Sequence, residues 1–130
     1  MKNPERAKEW LTRAKSNLAR VRAGKVLSEI LYEDLCFDAQ QAAEKALKAL
    51  CILNGIRFSK VHDIAYLMEL LEKENIKVPK KLQKAKILTD YAVETRYPGD
   101  YAPVDQEMYE EALRLAEKVV LWIEKKLKVK

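Results

Sequence analysis

Apolar residues recur at three- and four-residue intervals along nearly the whole chain, the spacing of one face of an α-helix. A first helix is expected over 4–23. Asn3 stands at its N-cap, Pro4 at its first helical position and Gly24 as its stop, and its stripe is Ala7, Trp10, Leu11, Ala14, Leu18 and Val21. A second is expected over 28–53, about 39 Å long at 1.5 Å per residue. Its stripe is Leu35, Ala39, Ala42, Ala43, Ala46, Leu47, Leu50 and Leu53, and Asn54-Gly55 ends it. A third starts at Asp63, a natural N-cap, and runs through Leu67, Leu70 and Leu71 to about Glu74. A fourth opens at Pro79, carries Leu82, Ala85, Leu88 and Ala92, and ends near Glu94 or Thr95; Pro98-Gly99 then forces a turn. The fifth is expected over 105–126, with Tyr109, Ala112, Leu113, Ala116, Val119, Val120 and Ile123 as its stripe.

No strand, repeat or linker interrupts this pattern. At 130 residues the chain has the length of one domain, 1–130. The expected fold is all-α: an up-and-down antiparallel bundle of about five helices, three long ones and a shorter hairpin. Composition agrees. Hydrophobic residues at 48% and charged residues at 35% are a globular balance, and only 3 Gly and 4 Pro argue against many short strands.

The net charge of +5 admits an anionic partner such as RNA or a nucleotide, but a well-solvated lysine-rich surface gives the same count. Cys36 and Cys51 lie in one helix, about 22 Å apart at 1.5 Å per residue, and read as reduced core residues. With one histidine and two cysteines a zinc site has little support, and no metal or cofactor is expected. No apolar signal follows the opening Met-Lys-Asn-Pro-Glu-Arg, and no apolar run is long enough for a membrane; the expectation is a cytoplasmic protein.

Antiparallel order would gather the end of the second helix, the start of the third, the end of the fourth and the start of the fifth. Arg57, His62, Asp63, Arg96, Tyr97, Asp100, Tyr101 and Asp105 would then share one end of the bundle. His62, the sole histidine, can move a proton at neutral pH, and Arg57 or Arg96 can hold a phosphate. The bland alternative has His62 helping Asp63 cap a helix, with Arg57 an exposed loop charge. Tyr97, restrained by Pro98, could stack on a base or simply cover the bundle end. Gln41, Glu44, Lys45 and Lys48 share a face of the second helix, either as a polar groove or as solvated surface. On the first helix Arg6, Arg13 and Arg20, with Lys8, Lys15 and Arg22, repeat every seven residues and give a broad basic surface.

These residues resemble the HEPN (higher eukaryotes and prokaryotes nucleotide-binding) domain family. The resemblance rests on Trp10-Leu-Thr-Arg-Ala-Lys-Ser-Asn-Leu18, Phe37-Asp-Ala-Gln-Gln-Ala-Ala-Glu-Lys-Ala-Leu-Lys-Ala49, Lys60-Val-His-Asp-Ile64 and Arg96-Tyr-Pro98. It implies a small helical bundle, commonly a homodimer, that binds nucleotide or RNA and works with a minimal nucleotidyltransferase in a toxin–antitoxin-like system. It also implies, as an alternative, a metal-independent RNase with an Arg-x(4–6)-His motif, which Arg57 and His62 satisfy in spacing and which Arg96 could complete instead. On this reading Gln41, Glu44, Lys45, Lys48, Asp63, Tyr97, Asp100 and Tyr101 are the nucleotide- or RNA-binding candidates. A third alternative is a non-catalytic dimeric helical interaction module.

Overall fold

The computed structural model describes residues 2–92 and 103–128. Its elements are α1 (Pro4–Ala23), α2 (Tyr32–Leu53), α3 (Ile64–Lys73), a 3-10 segment (Lys80–Ala92) and α4 (Gln106–Lys128). The all-helical bundle expected from the periodicity is the fold observed.

Helix boundaries follow local chemistry. The Asn3 side chain accepts the Arg6 N–H at 3.1 Å, and Gly24, at φ +71°, sends its own N–H back to the carbonyls of Arg20 and Val21. Asp63 accepts from the Tyr66 N–H and opens α3, and Asp105 accepts from the Met108 N–H and opens α4. Gly55, at φ +72°, lets the Ile56 N–H fold back to the Cys51 carbonyl at 2.9 Å and so closes α2.

Two expectations about the elements themselves need correction, and a third, about helix direction, follows below. The second helix begins at Tyr32, not Ser28. Residues 25–31 turn instead: the Val26 N–H bonds the Gly24 carbonyl, the Ile30 N–H bonds that of Leu27, and Leu31 is extended. Val26, Leu27 and Leu31 are exposed, so no buried stripe anchors helix there. The fourth segment is wound as 3-10 turns rather than as an α-helix. Its buried residues, Leu82, Ala85 and Leu88, stand three apart, with Tyr91 next in the series packed against the core. Strict spacing by three is the period of a 3-10 helix and keeps these side chains on one face.

α2 is the central element, and α1, α3, α4 and the 3-10 segment all pack on it. Its alanines Ala39, Ala42, Ala43, Ala46 and Ala49 are fully buried. Small side chains let several neighbours approach one helix at once, so the alanine-rich faces are consumed inside the bundle. Cys36 and Cys51 are buried in the same core, and burial pushes the Cys51 thiol up to about 12.

Helix directions decide which ends meet. The Asn3 N–H bonds the Ile52 carbonyl and Arg20 bonds Asp38, so α1 and α2 are antiparallel. Lys15 pairs with Glu124 and Arg22 with Glu117, both at 2.8 Å, and the Tyr109 hydroxyl donates to the Val21 carbonyl at 2.6 Å. α4 is therefore antiparallel to α1 and runs the same way as α2. The start of α4, with Asp105, lies at the Gly24 end and not beside Arg57, His62 and Asp63. The expectation that it joins them assumed a short antiparallel connection; the contacts with α1 show the opposite direction. The hairpin pairing itself is present, since the Ile64 N–H at the start of α3 donates to the Thr89 hydroxyl late in the 3-10 segment at 3.1 Å. Arg96, Tyr97, Asp100 and Tyr101 lie outside the described residues.

Candidate functional site: a buried carboxylate holding an exposed histidine

Gln40, Glu44 and Lys48 are spaced by four on α2 and so stack along one face. Glu44 is 2% exposed. Its carboxylate accepts from the Gln40 amide at 2.8 Å and from the Lys48 ammonium at 2.7 Å. Across the site, His62 brings Nδ1 to 3.0 Å from one Glu44 oxygen and 3.2 Å from the other. The Lys48 ammonium also lies over the rings of Trp10 and Phe58, at 5.7 and 5.4 Å from their centroids. Burial alone would push the Glu44 carboxyl up, but the hydrogen bonds from Lys48, Gln40 and His62 outweigh it and hold the group below its ordinary value.

That ionised carboxylate decides how the imidazole is arranged. A carboxylate only accepts, so Nδ1 of His62 carries the proton and donates it. When the ring is neutral, Nε2 is then a lone-pair acceptor. The His62 side chain is 50% exposed while its Nδ1 is held by Glu44. The segment carrying it is also fixed. The Ser59 N–H donates to the Tyr66 hydroxyl at 2.9 Å, the Ser59 hydroxyl lies 3.2 Å from the same oxygen, and Asp63 begins α3.

The other sequence-derived candidates divide. Glu44, Lys48 and His62 come together, and Gln41 joins by donating to the Gln40 side-chain oxygen Oε1 at 2.7 Å. Asp63 is the α3 cap. Arg57 is exposed and makes no hydrogen bond or ion pair among the described residues. Lys45 faces α1 instead, where its ammonium donates to the Asn17 side-chain oxygen at 2.9 Å. Asn17 in turn donates to Asp38 at 3.0 Å, and Arg20 grips both Asp38 oxygens at 2.7 and 3.2 Å. Sequence reasoning missed Gln40, Trp10 and Phe58. The spacing of four between Gln40 and Glu44 was a signal for the first; the two rings arrive from α1 and from the α2–α3 connection, which only folding brings together.

Among the described residues there is no group of three or more His, Cys, Asp or Glu side chains that could hold a metal ion. None of the described helices is long and apolar enough to cross a membrane.

Comparison with known proteins gives three matches. The family model for the HEPN domain matches residues 7–126. A protein of Methanocaldococcus jannaschii named "Putative toxin MJ1304" is 31% identical over 142 residues, a match covering 98% of this chain and 92% of that protein. The crystal structure of ST0689, an archaeal HEPN homologue, superposes with a TM-score of 0.74 at 27% identity, covering 94% of this chain and 98% of that one.

Proposed function

This chain belongs to the HEPN domain family, and from that premise we propose that it is the toxin-like member of a toxin–antitoxin pair, acting on RNA as a metal-independent endoribonuclease. A minimal nucleotidyltransferase is the partner protein this reading expects, and a homodimer its working form. The observation that carries the reading is the Glu44–His62 contact: a buried, ionised carboxylate holding the sole histidine by Nδ1 while half of the ring stays in water.

The chemistry follows from that tautomer. The bare Nε2 takes the proton of a ribose 2′-hydroxyl, and the oxygen attacks the adjacent phosphorus. The phosphorus–O5′ bond breaks, the departing oxygen takes a proton from water, and the imidazolium returns its proton to the solvent. The products are a 2′,3′-cyclic phosphate and a 5′-hydroxyl end. Glu44 holds the imidazole in place and stabilises the imidazolium that forms. Arg57 or Arg96 supplies the cation that stabilises charge on the phosphate. DNA, lacking the 2′-hydroxyl, is spared.

The test is to incubate the purified protein with mixed RNA in chelator and compare it with His62→Ala. Cleavage that leaves cyclic phosphate and falls by about 10²- to 10⁴-fold in the variant is the expected result. Equal cleavage by wild type and variant overturns the role of His62. Intact RNA with retained binding favours a second reading, nucleotide or RNA binding without chemistry, which the cations around Lys45 support.

A further inference from the structure

We infer that the seam between α1 and α2 holds a phosphate-binding subsite made by Arg13, Arg20 and Lys45, distinct from the Glu44–His62 pair. Arg13, Asn17 and Arg20 stand at i, i+4 and i+7 on α1, one face of that helix. Lys45 reaches across from α2 to Asn17 at the middle of this row. Two guanidinium groups thus flank a half-buried ammonium whose sole hydrogen-bond partner among the described residues is a neutral amide.

The carboxylates nearby compensate this charge only in part. Asp38 is the one inside the cluster, and it is engaged with Arg20 and Asn17. Glu44 is occupied by Lys48, Gln40 and His62. Glu9, one turn before Arg13, makes no ion pair with it. Arg13 has no carboxylate partner among the described residues. Three cations, of which Lys45 is half-buried and Arg13 and Arg20 are exposed, thus outnumber Asp38 and Glu44, the two carboxylates that act on Lys45. Burial first, and then the charges of Arg20 and Arg13, push the Lys45 ammonium below its ordinary value, against the opposite pull of Glu44 and Asp38. A surface that gathers repelling cations gains most from an anion set among them.

Donor geometry fits a phosphate group. Asp38 holds Nε and one terminal nitrogen of Arg20, so that guanidinium is fixed in direction while its remaining N–H groups stay available. Lys45 spends one of its three donors on Asn17, and Arg13 keeps all of its own. Planar guanidinium forks match phosphate oxygens in pairs. The charge of Glu44 acts on Lys45, which places the subsite within electrostatic reach of the candidate catalytic pair although Lys45 turns to α1. The subsite rests on these charges alone; that its phosphate belongs to an RNA strand rests on the reading above.

Two ligands separate these claims. Inorganic phosphate titrated at low salt should shift the backbone amide signals of Asn17 and Lys45. A labelled 2′-O-methyl oligoribonucleotide, which cannot be cleaved, should bind with an affinity that reports the subsite whether or not the protein cuts RNA. Arg13→Gln and Lys45→Gln should each weaken oligonucleotide binding about five- to tenfold and lower the salt slope by about 1, whereas Lys86→Gln, an equal loss of charge on the exposed 3-10 segment, should change it less than twofold. Phosphate shifts at the seam without oligonucleotide binding would keep the subsite and overturn the RNA assignment. Absence of phosphate shifts, or variants no weaker than Lys86→Gln, would overturn the subsite.

Discussion

Glu44 and Lys48 are both taken out of water, with side chains 3% and 9% exposed. Two desolvated charges persist because each satisfies the other and because Gln40, His62, Trp10 and Phe58 fill the remaining contacts. Removing one partner leaves a buried charge alone. Glu44→Gln should therefore cost about 3–5 kcal/mol by denaturant unfolding, and Glu44→Leu with Lys48→Met should cost less than the sum of the two single changes. The sign of the pH dependence follows from the lowered Glu44 carboxyl. The unfolded chain takes up this proton near the ordinary value of 4.5, before the folded chain does. The stabilisation is thus present above about pH 4.5 and is lost as pH falls through the folded value. Melting followed from pH 6 to pH 3 should show a shallower decline for Glu44→Gln than for wild type. The decline does not vanish, because Glu124, held below its ordinary value by the Lys15 hydrogen bond, contributes the same sign. At this scale the site was half legible. Glu44, Lys48 and His62 were candidates by residue type, but Lys45 shared their helix face on paper and turns to α1 in the fold. The long side chains at neighbouring positions of α2 choose between two partners, and spacing does not say which.

Elements are separated here by few residues with special backbone demands. Gly24 sits at φ +71° and ψ −154°, a region open in practice to glycine, and a Cβ built there would lie 3.2 Å from the Tyr109 hydroxyl oxygen. Gly55 also has positive φ, with no atom in the way of a Cβ. Gly24→Ala should cost about 1–3 kcal/mol and more than Gly55→Ala; equal costs by chemical denaturation would mean that the Tyr109 contact contributes nothing. The 3-10 segment makes a related point about reading periodicity. Leu82, Ala85 and Leu88 satisfy a helical stripe and a strict repeat of three equally well over so short a span. The decision came from packing against α2 and α4, which rewards one continuous face.

For the whole molecule, the surplus apolar surface lies where the chain turns between α1 and α2. Val26 and Leu27 are 66% and 64% exposed, and Leu31 is exposed beside them. Such exposed aliphatic side chains are costly in water, and a twofold pairing of copies would cover them. Light scattering at micromolar concentration should give a homodimer, twice the 15.1 kDa chain, and Leu27→Asp with Leu31→Asp should return it to monomer. A wild-type monomer would remove this prediction.

Secondary structure and fold class were determined locally. The periodic apolar stripes, Asn3 and Asp63 as caps, and Gly24 and Gly55 as stops each act through neighbours a few residues away, so the sequence alone carried them; the start of α2 and the 3-10 winding, which depend on packing, it did not. The resemblance to HEPN domains was legible for the same reason, because its motifs are short runs within α1, α2 and the approach to α3. The direction of α4, the partner of Lys45 and the burial of Glu44 were decided only by the tertiary structure. They depend on which helices become neighbours, and that choice balances ion pairs such as Lys15–Glu124 and Arg22–Glu117 against the burial of α2 on several sides. Such terms join residues about a hundred positions apart, where no local rule reaches.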